Sequence, residues 1–166
     1  METQQATVPR MVTQIPVPAQ ARALATLSRI DYADAFRVDL GATLERSAAD
    51  WARATLAEAP PLVRAKLMLG WSGLGLRLGS PRSPGHVLGW PVQSNHPGHV
   101  VLAARSWLGL PAELLFLAEP SGVLFATFVR QDNPAVRNLW ARITPTHERV
   151  VRSLLTDAAR RIAARR

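Results

Sequence analysis

Residues 86–130 carry four short apolar segments parted by glycine- and proline-bearing turns, and these run straight into one long amphipathic segment. Closely spaced apolar stretches of this length form antiparallel strands. They read as 86–92, 99–107, 112–119 and 122–130, with 93–98, 108–111 and 120–121 as hairpin linkers. Pro91 marks its own strand as peripheral or bulged. Asn133 and Pro134 suit the cap and first turn of the helix that follows. A sheet that meets a single long helix must fill the space between them with side chains or leave a hollow. The hollow is where a function is expected.

Ahead of these elements, residues 31–40 alternate, with Tyr32, Phe36, Val38 and Leu40 on one face and Asp34 among them; this is a strand. Ser47 and Asp50 form a capping-box-like start for a helix that runs to Ala59. Pro60 and Pro61 break it and open a second helix, whose stripe is Leu62, Ala65 and Leu69 and which Gly70 closes. Residues 74–78 read as a short edge strand. Residues 1–21 show no period and are expected to be a disordered extension ahead of a single domain at 22–166, with Met11 an alternative start. In the long helix, Val136, Leu139, Trp140 and Ile143 form a stripe that Val150, Val151, Leu154, Leu155, Ala158 and Ile162 continue. Pro145 between them predicts a kink, or a restart capped by Thr144.

Even hairpin loops set Trp107 opposite Ala112, Arg105 opposite Leu114, and Phe116 opposite both Ala103 and Phe125. The inward face then reads His86, Leu88, Trp90, Val101, Ala103, Arg105, Trp107, Leu114, Phe116, Val123, Phe125 and Thr127. Glu113, Glu119 and Arg130 share a wet outer face, and Phe128 falls outside as well.

The 166 residues, 48% of them hydrophobic, are enough for one core without staples. Cysteine is absent, which excludes disulfides and thiolate metal sites. No apolar run approaches the ~20 residues of a membrane span, and the first residues lack the basic and apolar parts of a signal peptide. A cytoplasmic protein is expected. The net charge of +8 is concentrated late: from Asn133 on, eight arginines stand against two acids, a balance of +6. Such a stripe is ordinarily a solvated helix face. Without aromatic interleaving or a recognition-helix pattern, nucleic acid is not the expected partner.

The order strand, two helices, antiparallel strands and long helix resembles the helix-grip fold of the START-like superfamily, which includes polyketide cyclase-like and plant allergen-type proteins. Trp140, Pro145 and His147, followed by Val150, Val151, Leu154 and Leu155, resemble more closely an uncharacterised bacterial family within it. The likeness covers about residues 29–165 and implies an α+β fold: a curved antiparallel sheet wrapped on the C-terminal helix, with two short helices after the first strand and an apolar cavity between sheet and helix. It implies no catalytic residues, since that family has no established activity. Five to six strands are legible here, where the fold has seven.

On the residues themselves, Arg105 among aromatic neighbours needs a partner. Asp34 is the internal candidate, and the carboxylate or phosphate of a ligand is the functional one. Trp71, Trp90, Trp107 and Trp140 serve as core or as pocket wall. His147 is either packed on Trp140 or a general acid or base, with no neighbour in sequence to complete a relay. His86, His96 and His99 lack an acidic companion, and neither a metal nor a cofactor is expected. The glycines at 70–79 match neither a nucleophile elbow nor a dinucleotide fingerprint.

The expected function is the binding of a small apolar or amphipathic molecule in a cavity lined by Trp90, Arg105, Trp107, Phe116, Phe125 and Trp140. A cyclase- or dehydratase-like enzyme using Arg105 and His147 is the first rival. The second is an interaction module working through the arginine-rich helix, and a homodimer is left open.

Overall fold

In the computed structural model, which describes residues 11–165, seven antiparallel strands form one curved sheet gripping a long C-terminal helix. The elements are β1 (Val12–Ile15), α1 (Ala19–Leu24), β2 (Tyr32–Asp39), α2 (Ala48–Ala52), α3 (Pro61–Gly73), β3 (His86–Val87), β4 (Trp90–Asn95), β5 (His99–Ala104), β6 (Ala112–Glu119), β7 (Gly122–Val129) and α4 (Pro134–Ala164). The sheet order is β1-β2-β7-β6-β5-β4-β3. This is the expected α+β helix-grip architecture, with α2 and α3 after the strand at 31–40.

The caps read from sequence are in place. Ser47 accepts from the Asp50 amide at 3.1 Å, and Asn133 accepts from the Val136 amide at 3.0 Å. The helix opened by Ser47 turns π-helical over Arg53–Ala57. α4 runs unbroken past Pro145, so no restart occurs; the Thr144 hydroxyl donates back to the Trp140 carbonyl at 2.7 Å. One face of α4, including Trp140, Val151, Leu155 and Ile162, is buried on the concave side of the sheet. Emptying a site such as Leu155 costs about 2–5 kcal/mol.

Several expectations are corrected. The disordered extension divides: residues 1–10 lie outside the described residues, but Val12–Ile15 pairs with β2, and Ala21 is fully buried. Val12–Ile15 has no alternation to mark it, and three prolines lie nearby. This N-terminal stretch covers the outer face of the sheet, where Ala21 joins Ala35, Val101, Leu115, Leu124, Ala126 and Phe128 in a second core. That face is therefore dry. Phe128 is buried there, and so is Glu113, whose carboxylate accepts from the Thr26 amide at 2.9 Å, the Leu27 amide at 2.5 Å and the Thr26 hydroxyl at 3.0 Å.

Residues 86–92 are not one strand. Leu88 and Gly89, both at positive φ, fold 86–95 into a tight hairpin with Val87 opposite Trp90. α3 ends at Gly73, beyond Gly70, and its expected stripe faces outward: Leu62 is 66% exposed and Leu69 76%. Val63, Leu67, Met68 and Trp71 turn inward instead, each only partly buried. Residues 74–78 contribute a single bridge, Leu76 to Ser106.

That bridge decides the largest error. The Arg77 amide donates to the Arg105 carbonyl (2.8 Å) and the Trp107 amide to the Gly75 carbonyl (3.0 Å), drawing residues 105–107 out of the sheet. β5 stops at Ala104, which stands opposite Ala112. The true register differs from the expected one by three places, and an odd shift turns every side chain of the strand over. Val100, Leu102 and Ala104 face the main core, while Arg105 is exposed and Trp107 is 67% exposed. The β6–β7 register is as expected, with Phe116 opposite Phe125.

Candidate functional site

Between sheet and α4 the core is largely filled. Phe116 and Phe125 pack edge to face at 5.1 Å and are buried in each other's company. What remains is a chamber of about 50 Å³ lined by Trp71, Leu74, Leu76, Trp90, Leu110, Ala112, Leu114, Thr127, Val129, Trp140 and His147. Trp71, Leu74, Trp140 and His147 also line a groove of about 320 Å³ between α3 and α4, joined there by Lys66, Leu67, Gly70, Ile143, Thr146 and Val150. Chamber and groove thus share a wall. α3, none of whose residues is buried, is the outer side of that groove.

Local structure brings the polar groups together. The two-residue period of β2 puts Tyr32 and Asp34 on the concave face, and the β2–β7 register sets Thr127 opposite Asp34. Trp140 and His147 are seven residues apart, two helical turns, and so share a face of α4. His147 Nε2 lies 2.9 Å from Asp34 Oδ2, and the Tyr32 hydroxyl donates to the same oxygen at 2.6 Å. Tyr32 stacks edge-on against Trp140 at 5.2 Å, and Trp140 lies tilted against His147 at 5.0 Å. Burial first, and then the Asp34 carboxylate, push the Tyr32 phenol above its ordinary range, so it stays protonated and donates.

Asp34 is 4% exposed and Thr127 2%. Asp34 Oδ1, Thr127 Oγ1 and the Nε1 atoms of Trp90 and Trp140 have no hydrogen-bond partner among the described residues. Trp90, Thr127 and Trp140 line the chamber, and Asp34 stands behind it, opposite Thr127 and bonded to His147; buried polar atoms are normally paired. Chemically, the arrangement offers an imidazole oriented by a buried carboxylate, with Nδ1 left over, beside indole and hydroxyl groups and an apolar exit.

Of the six lining residues expected from sequence, the structure brings Trp90 and Trp140 together at the chamber. Phe116 and Phe125 lie deeper in the packed core. Arg105 and Trp107 are elsewhere: Arg105 lines a pocket of about 580 Å³ with Arg77, Gln93, Glu113 and Arg130. Asp34 partners His147 and Tyr32 rather than Arg105. Sequence reasoning placed Thr127 on the inward face but not in the site, and missed the Tyr32–Asp34–His147 cluster. Its only signal was an acid among apolar residues on the inward face of a strand. Among the described residues no three His, Asp or Glu side chains are grouped to hold a metal, and no helix is long and apolar enough to cross a membrane.

No protein-family model matches this chain, and the searches of curated proteins and of solved structures yield no match either.

Proposed function

We propose that this chain is a START-like ligand-binding domain that holds a small apolar or amphipathic molecule in the groove between α3 and α4, its polar end turned toward Asp34, Thr127 and His147. One observation carries this reading. A small chamber lined by Trp90, Thr127, Trp140 and His147 shares a wall with an apolar groove under the least buried helix. A groove of about 320 Å³ lies at the small end of the range for ligand sites, about 300–1,000 Å³. One chain supplies every residue of the site, and the absence of cysteine fits action in the cytoplasm.

The test is displacement of a hydrophobic fluorescent probe, with Gly70→Phe as the blocking variant. Gly70 lines the groove, and a Cβ there meets nothing within 4 Å. The variant keeps its fold and binds the probe several-fold more weakly. Unchanged binding in Gly70→Phe contradicts the reading.

A second reading rests on the Asp34–His147 pair. A carboxylate holding Nε2 leaves Nδ1 able to take a proton from a bound molecule, as a cyclase- or dehydratase-like catalyst requires. On this reading His147→Gln abolishes turnover while binding persists. The interaction-module reading is weaker, because α4 uses part of its charge internally. Arg152 sits 5.4 Å over the Phe36 ring, Arg161 donates to the Ala54 carbonyl at 2.7 Å, and Arg165 pairs with Glu58.

A further inference from the structure

The pocket of about 580 Å³ lies where residues 105–107 leave the sheet, with Thr26 and Leu27 in its wall. It shares no lining residue with the groove between α3 and α4. The short pairing that draws those residues out also sets two arginines against each other. Leu76 and Ser106 are bridge partners, so Arg77 and Arg105 come opposite one another one place further on, joined by the 2.8 Å bond from the Arg77 amide to the Arg105 carbonyl. Side chains directly opposite in an antiparallel pair have Cβ atoms about 4.5–5.5 Å apart, and like charges so placed are destabilising. Both arginines line the pocket and both are exposed, so an entering molecule meets them. Neither has an ion-pair partner among the described residues.

The other charged residues of the wall are engaged. Arg130 and Asp132 pair at 2.7 Å, and the Glu113 carboxylate accepts from the Thr26 and Leu27 amides. Two like charges set as close as Arg77 and Arg105 call for an anion between them. A guanidinium grips a pair of oxygens with its planar fork. A carboxylate has two oxygens and fills one fork. A phosphate monoester has three terminal oxygens and a charge of about −1.5 to −2 at neutral pH, enough to face two forks and offset both cations. Leu27, Pro91, Ala103 and Pro111 offer an apolar surface to a compact body, and the volume falls within the roughly 300–1,000 Å³ of small-molecule sites.

We propose that this pocket is a second binding site, for a small phosphate monoester whose phosphate sits between Arg77 and Arg105 and whose body lies against Leu27, Pro91 and Pro111. It stands independently of the apolar ligand assigned to the α3–α4 groove.

Calorimetric titration of the full chain with phenyl phosphate and with benzoate, at one ionic strength, tests it. Phenyl phosphate is expected to saturate one site, and benzoate to bind roughly tenfold more weakly, the loss of one charge-assisted fork. Arg77→Ala and Arg105→Ala, at exposed positions and so expected to fold, each weaken phenyl phosphate about tenfold for the same reason. Gly70→Phe, which fills the other groove, leaves phenyl phosphate binding unchanged. No saturable binding, or full affinity in both arginine variants, overturns the proposal. Benzoate binding as tightly as phenyl phosphate overturns the choice of a phosphate. Loss of binding in Gly70→Phe would put the molecule under α3 and overturn the second site.

Discussion

His147 and Asp34 are 113 positions apart in the chain, yet Nε2 and Oδ2 meet at 2.9 Å in the interior. The contact joins α4 to β2, and Tyr32 completes it by donating to the same oxygen. It follows that neutral His147 carries its proton on Nε2. Long-range proton–nitrogen correlation of the imidazole is expected to show Nδ1 unprotonated. The opposite tautomer contradicts the assigned geometry.

Asp34→Ala removes the acceptor shared by Tyr32 and His147. Stranding two largely buried donors costs about 2–4 kcal/mol, read as a lower midpoint in urea with an unchanged slope. A loss below about 0.5 kcal/mol, the range of ordinary surface changes, would mean that the cluster holds nothing together.

Tyr32 is the only tyrosine, so phenolate absorbance reports on it alone. Its pKa is raised in the folded protein, chiefly by burial. The unfolded chain releases that proton near pH 10 and the folded chain does not, so the unfolded state binds fewer protons and stability falls as pH rises above about 10. Below that, the contribution is fully present. Phenolate absorbance is expected to appear only as the protein unfolds, and Tyr32→Phe is expected to lose less stability than the parent across the same alkaline range.

Arg105→Ala and Trp107→Ala are expected to stay within about 0.5 kcal/mol of the parent, since both side chains are exposed. Trp90→Ala is expected to cost about 3–5 kcal/mol, because Trp90 is 1% exposed and packs edge-on against Trp71 at 5.5 Å. Thermal unfolding of the three variants checks the register of β5 directly.

Glu113→Ala leaves two backbone amides and a hydroxyl without their acceptor. A loss of about 2–3 kcal/mol is expected, with faster amide exchange at Thr26 and Leu27 as the local readout. Exchange unchanged at those two amides would show that the carboxylate does not anchor the stretch between α1 and β2.

The fold was legible where local chemistry is strong. Ser47, Asn133 and Pro61 mark their helix starts because a cap or a fixed φ acts at one position. The Pro120–Ser121 turn fixes β6 against β7 because two residues permit one register. Gly122 is required on the other side of β7, where a Cβ would stand 1.8 Å from the Val38 carbonyl oxygen of β2. The register of β5 was not legible. The segment at 75–77, remote in sequence, pulls residues 105–107 out of the sheet, and no nearby residue records this. The second core had a signal that was not used: Gly122–Val129 is apolar almost throughout and buried along its whole length, the mark of a strand covered on both faces. Of the candidate site, Trp90, Trp140 and His147 were visible as residue types. Their joining to Asp34 and Thr127 depends on sheet pairing and on the seating of α4, which no spacing in the chain encodes.

Amide and indole chemical-shift mapping during titration with 1-octanol tests the central claim most directly. The account predicts shifts at Leu67, Gly70, Trp71 and His147 and at the indole N–H groups of Trp90 and Trp140, with slowed exchange along α3, the least buried helix of the groove. Shifts confined to the outer surface around Arg105 and Trp107, or no shifts at saturating alcohol, would contradict it.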